Sequence, residues 1–288
     1  MPIVALGLLS LVLTAPGERL ICCGGPEVFV IAADESAEPK KLWSWKAEDS
    51  PEIPEASRKL FRTTDDCKPY DGERLLITSS SGGVALIRRA DKKCLFFTRA
   101  TNAHSACLLP DERVAVASSF GGDELLIFSL KESGEKAQPL GRLKLHGAHG
   151  AVWDEELKQL WAHGQDELLL LKLTDAAPEV VRRHPLPTEG GHDLIPTGKP
   201  TSLYVTTEHG VYRFRKAEGD FAPLQPLAKL PDVKSIDVSP KSGRLVYHQA
   251  DVENKTWWSD TIRFENPPGT LRMPGEKLYK IRWDLAGE

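Results

Sequence analysis

Several things are scarce in this sequence, and each shortage removes a class of protein. Aromatic residues make up 7% of it, and a single long apolar run occurs, confined to positions 1–16. No interior stretch approaches the roughly 20 apolar residues that a membrane-crossing helix needs, so no integral membrane domain is expected. Positive charge is not in excess: 37 Lys and Arg stand against 41 Asp and Glu, for a net charge of −4. With no dense Lys/Arg stripe either, nucleic acid is not an expected partner. The five cysteines, at 22, 23, 67, 94 and 107, follow no metal-ligand spacing. Cys22 and Cys23 would face opposite sides of a strand, so they do not chelate one ion together. They read as small buried apolar residues, with a single disulfide open to an exported chain. Neither GxSxG, HExxH, a phosphate-binding loop nor a dinucleotide fingerprint is present. Helix signals are nearly missing, and only SPEIPEASRKLF (50–61) suggests a short one.

The apolar run itself, MPIVALGLLSLVLTAP, is too short for a comfortable membrane span. It matches the apolar core of a secretory signal, with small residues near Ala15 for cleavage, although no basic residue precedes it. The expectation is a signal peptide at 1–16, a periplasmic or extracellular location, and one domain over 17–288.

What is abundant is repetition. Five segments share a β-rich run, a Gly-containing turn and a second apolar run: LICCGGPEVFVIAAD from Leu20, LLITSSSGGVALIRRAD from Leu75, VAVASSFGGDELLIFSL from Val114, LWAHGQDELLLLKL from Leu160 and LYVTTEHGVYRFR from Leu203. A diverged sixth, RLVYHQADVENKTWWSDTIRF, begins at Arg244. Glycine supplies the positive φ that tight antiparallel turns demand. Before each of the later hairpins lies a short strand such as SACLLP, GAVWDEE, DLIPTG or SIDVSP. After it comes a variable one: KKLWSWKA, KCLFFTRA, GRLKLHG, EVVRRHPLP or PLQPLAKLP. Four strands repeated roughly every 40–45 residues make a propeller blade. The first unit lacks an inner strand and the last has one to spare, KLYKIRWD (277–284). The sequence therefore predicts an all-β, monomeric, six-bladed β-propeller, closed by a C-terminal strand that completes the first blade and removes exposed edges.

Aligning the inner strands puts His104, His149, His192 and Lys234 in one column, with steps of 45, 43 and 42 residues. The matching residue of the first blade falls near Lys280, and that of the second near Asp65 or Asp66. Because inner strands surround the axis, these groups are expected to form a ring at one end of the central channel. Three neutral imidazoles are able to hold Zn²⁺ or Mn²⁺ with positions left open, and such an ion would polarise a carboxylate or activate water. Lys234 would neutralise an anion or serve as a base. The remaining histidines (146, 163, 184, 209 and 248) fall on outer strands or hairpins, and Trp153 reads as blade-packing core. The expected role is binding of a small polar or anionic ligand, including a carbohydrate or a uronate, at the axial funnel. Two alternatives stand beside it. One is a metal-dependent lyase or hydrolase acting on a sugar acid, with the three histidines as ligands and Lys234 as catalytic base. The other is a non-catalytic protein-interaction scaffold.

Words such as GAHGAVWDEELKQLWAHGQDELL, GGHDLIPTGKPTSLYVTT, KSIDVSPKSGRLVYHQ, SSSGGVALIRR and YKIRWD resemble an uncharacterised family of bacterial six-bladed propellers over nearly the whole chain after Leu20. A more distant resemblance is to oligogalacturonate lyases, larger propellers whose axial histidines hold a divalent metal. That likeness implies metal-ligand roles for His104, His149 and His192, as an analogy between folds.

Overall fold

A computed structural model describes residues 17–35, 38–174 and 177–286. The apolar segment at 1–16 lies outside the described residues. The chain forms six four-stranded antiparallel sheets, each in simple sequence order except the first. There the last strand, Lys280–Trp283, adds to the front of the sheet and pairs with Arg19–Cys23, setting Leu20 against Trp283 and Cys23 against Lys280. The predicted six-bladed β-propeller and its closure are thus both present. The inner strands, from blade 1 to blade 6, are Lys280–Trp283, Thr64–Tyr70, Ala103–Leu109, Gly150–Asp154, Asp193–Pro196 and Val233–Val238.

Apolar residues on both faces of the middle strands make the core, which lies between neighbouring blades. Cys22 and Cys23 illustrate the strand alternation. Cys22 packs with Phe264 and Trp283 on the blade 6 side, and Cys23 packs with Leu75 and Ile77 on the blade 2 side. All five cysteines are buried and free, so the disulfide allowed by sequence is not formed. The segment between blades 1 and 2 holds the short helix Glu55–Arg58 and a 3-10 turn, Lys59–Phe61. Its Phe61 ring meets Trp45 edge-on at 5.6 Å. Among the described residues no helix is long and apolar enough to cross a membrane.

One strand assignment is corrected. The outer strand of blade 5 is Asp220–Pro223, whereas PLQPLAKLP carries a 3-10 turn at Leu227–Lys229. Prolines at 223, 226 and 231 explain this, because a residue without an N–H cannot continue a ladder.

Candidate functional site at the axial mouth

A repeated irregularity builds the site. In blades 2, 3 and 6 the register of the inner strand slips by one residue, between Thr64 and Asp66, Ala103 and Ser105, and Val233 and Ser235. The extra residues are Asp65, His104 and Lys234. In blades 4, 5 and 1 the backbone N–H of His149, His192 and Tyr279 donates to the carbonyl of His163, Thr206 and Cys23. Those same three residues pair with the next inner-strand residue, Gly150, Asp193 and Lys280. All six blades therefore place an extra residue at the same height. A bulge re-aims the side chain it carries. The ring it creates here is Tyr279, Asp65, His104, His149, His192 and Lys234.

Five of these six residues were legible as a column. Lys280 and Asp66, also expected in the ring, belong to the next layer down. The insertion shifts the equivalence by one residue, so Tyr279 holds the position assigned to Lys280, and Asp65 holds the one shared between Asp65 and Asp66.

The imidazoles do come together. Ring centroids of His104 and His149 lie 4.2 Å apart, and those of His149 and His192 lie 5.7 Å apart. Tyr279 stands edge-on to His104 at 6.0 Å. The Nδ1 of His104 donates to the Asn102 carbonyl (3.1 Å), and that of His149 to the Gly147 carbonyl (2.8 Å) with Ser119 Oγ at 3.0 Å. A carbonyl accepts only, so both rings carry their proton on Nδ1 and a lone pair on Nε2. His104 Nε2 lies 3.6 Å from Asp65 Oδ1. His192 differs: Lys234 Nζ donates to its Nε2 at 2.8 Å and to Asp232 Oδ1 at 2.9 Å. This leaves His192 Nδ1 buried without a partner.

Burial, followed by positive charge from Lys280 and Lys234, pushes the His104 imidazole down to about 4. His149 falls well below the usual histidine range through burial and the neighbouring His104 and His192, and His192 does so through burial, Lys234 and Lys280. Burial raises the Asp65 carboxyl to about 7, against a backbone hydrogen bond from Ser80 and the charge of Lys280. Near neutral pH the mouth thus presents three uncharged imidazoles in a field set by two ammonium groups.

The layer beneath, one residue further along each inner strand, is Lys280, Asp66, Ser105, Gly150, Asp193 and Ser235. Gly150 is required there, since a Cβ would stand 2.6 Å from Leu194 Cβ and 3.0 Å from His163 Nε2. Asp66 and Asp193 meet Arg282, which reaches up from two residues below Lys280. The Arg282 guanidinium forks onto Asp193 with two 2.7 Å bonds. It also donates to Asp66 Oδ1 through Nε (3.1 Å) and Nη2 (2.9 Å), and to the Ile236 carbonyl. Lys280 Nζ donates to Asp193 Oδ1 (3.1 Å) and to the His192 carbonyl (3.0 Å). Lys68 Nζ donates to Ser105 Oγ (2.9 Å), which itself donates to Asp66 Oδ2 (2.8 Å). These cations hold Asp66 and Asp193 below the usual carboxylate range in spite of burial. Sequence reading missed Arg282, Lys68 and Tyr279. The available signal was a charged residue inside an otherwise apolar inner strand, as in KIRW, because such residues are almost never buried unpaired.

The three imidazoles expected as metal ligands are neighbours at the mouth. Among the described residues no group of three or more His, Cys, Asp or Glu side chains is placed to hold an ion. The Nε2 of His192 faces the Lys234 ammonium group. The other histidines serve elsewhere. His163 is wholly buried behind Gly150, and His248 is wholly buried against Ser259. His184 packs on Phe214 at 4.8 Å, and His146 is exposed beside Asp123.

Comparison with known proteins agrees with the architecture. A Bacteroides fragilis protein provisionally named a 6-phosphogluconolactonase superposes with a TM-score of 0.58 at 12% identity, covering 94% of this chain and 85% of that one. A chain of the nidogen/laminin complex gives 0.65 at 12% identity, covering 94% and 99%. At such identities the likeness extends to the fold alone. No curated protein matches the sequence. A family model matches residues 26–287, and the chain therefore belongs to the family of unknown function DUF6528.

Proposed function

We propose that this propeller is a non-catalytic binding protein for a small anionic, polyhydroxylated ligand, with a uronate as the first candidate, held at the histidine mouth. The observation that carries the reading is the ring itself. Six blades each insert one residue at the same height, and His104, His149, His192, Lys234, Asp65 and Tyr279 are gathered by it. Two Nε2 lone pairs accept from sugar hydroxyls, while Lys234, fixed by Asp232, supplies charge for a carboxylate. This gives Lys234 an electrostatic role in place of the catalytic one. An arriving anion also favours the protonated form of the Asp65 carboxyl, which burial raises to about 7, so binding takes up protons and tightens as pH falls from 8 toward 6. With the apolar segment at 1–16, the reading includes export from the cytoplasm.

Calorimetric titration with D-galacturonate and with uncharged D-galactose tests the reading. Galacturonate should bind, galactose should bind about tenfold more weakly, and folded His149→Ala should lose the galacturonate signal. Equal binding of the two sugars, or unchanged binding by His149→Ala, would remove the anionic-ligand assignment.

A further inference from the structure

The channel has a second mouth, and its chemistry is unlike the first. Two residues below the ion layer, each inner strand contributes again: Lys68, Cys107, Val152, Ile195, Asp237 and Arg282. All six line one cavity of about 930 Å³ at the far end of the axis. That volume is at the upper end of the range for small-molecule sites. The next residue of every inner strand lines it too, and among these Leu108, Trp153, Val238 and Trp283 give it apolar, partly aromatic walls. The layer between the mouths is closed, with Lys280 and Asp193 0% exposed and Asp66 1%. The two ends are therefore separate compartments.

Most charges on this cavity are already matched. Arg74 is paired with Asp71, Lys158 with Glu155 and Glu112 with Lys131, while every donor of Arg282 is engaged. Asp237 accepts the backbone N–H of Val238 on one oxygen and of Trp283 on the other, both at 2.8 Å, and the Arg282 guanidinium is the cation acting on it. Lys68 is the exception. Its ammonium donates to two neutral acceptors, Ser105 Oγ and the Ala151 carbonyl. Its nearest carboxylate oxygen, Asp66 Oδ2, is 3.7 Å away, and Asp66 already serves Arg282. A cation whose direct hydrogen bonds go only to neutral acceptors, at the floor of an apolar, Trp-lined cavity, selects one ligand chemistry. We propose that this mouth binds a small molecule with an aromatic or fused-ring body and a single anionic group, the body resting on Trp153, Leu108 and Val238 and the anion meeting Lys68. The site goes beyond the histidine-mouth reading and stands or falls without it.

The probe is 1-anilinonaphthalene-8-sulfonate, which has such a body and one sulfonate, measured by its fluorescence on the full folded chain. Saturable binding of one equivalent is expected. N-phenyl-1-naphthylamine, the same ring system without the sulfonate, should bind about tenfold more weakly, and Lys68→Met should weaken the sulfonate probe to a similar degree. Because Lys68→Met loses buried hydrogen bonds, a second variant guards the test. Pro196 is exposed at the cavity rim, so Pro196→Trp should fold normally and block entry. His149→Ala should leave probe binding unchanged, whatever it does to galacturonate. Non-saturable fluorescence, or full binding by Pro196→Trp, would overturn the site. Equal affinity for the two probes would overturn the anionic requirement.

Discussion

The two polar layers of the channel are one residue apart on every inner strand and use similar side chains, yet they differ in how fully their charges are matched. In the lower layer Arg282 and Lys280 enclose Asp66 and Asp193, and nearly every donor and acceptor is engaged. In the upper layer His192 Nδ1 has no partner, two Nε2 lone pairs have no donor assigned to them, and Asp65 is held partly protonated near neutral pH by burial. A matched set holds blades together, while an unmatched one is left with capacity for something else. Residue type alone does not distinguish a structural charge from a binding one; the partners do.

The sharpest way to break this contrast is to remove the centre of the matched layer. Arg282→Met leaves Asp66 and Asp193 buried with less compensation, and a loss of about 3–5 kcal/mol is expected in denaturant unfolding. A variant as stable as the parent would show that the lower layer is no clasp. Acid provides a second, somewhat smaller lever. His104, His163 and His248 are lowered to about 4, and His149 and His192 further, whereas the unfolded chain takes up these protons near 6.5. Between pH 6.5 and 4 the unfolded state binds more protons, so these five groups make stability fall as the pH drops. Asp65 and Asp237, raised to about 7 and about 6, act in the opposite sense over nearly the same window, but they are two against five. Thermal melts should therefore give a lower Tm at pH 5 than at pH 7.5, and a flat profile would mean that the imidazoles are not buried neutral. The smallest effect sharpens the contrast from the other side. His149→Ala, which removes an imidazole from the unmatched layer, should cost only about 1 kcal/mol of stability, set by its loss of hydrogen bonds to Gly147 and Ser119. A loss rivalling that of Arg282→Met would make the ring structural as well.

Much of the fold was legible because propeller blades repeat their turn chemistry. The Gly-containing hairpins and the surplus KLYKIRWD strand were enough for blade count and closure. The histidine column was legible for the same reason, since equivalent positions recur once per blade. What escaped were consequences of register. A bulge adds one residue without any mark in composition, so the column points to Lys280 where Tyr279 stands and does not separate Asp66 from Asp65. The second cavity escaped for another reason. Its lining is drawn from six inner strands at once, and residues such as Val152 and Ile195 look like ordinary core until the strands are set around an axis.

Closure of the propeller has one further consequence. The last strand brings Tyr279 to one mouth, Lys280 and Arg282 to the middle and Trp283 to the other cavity. Sealing the ring and completing both compartments are thus a single event, and a chain whose C-terminal strand has detached has neither compartment intact. Any molecule seated at either end should therefore act as a latch, slowing hydrogen exchange and proteolysis at the junction of the two termini in blade 1.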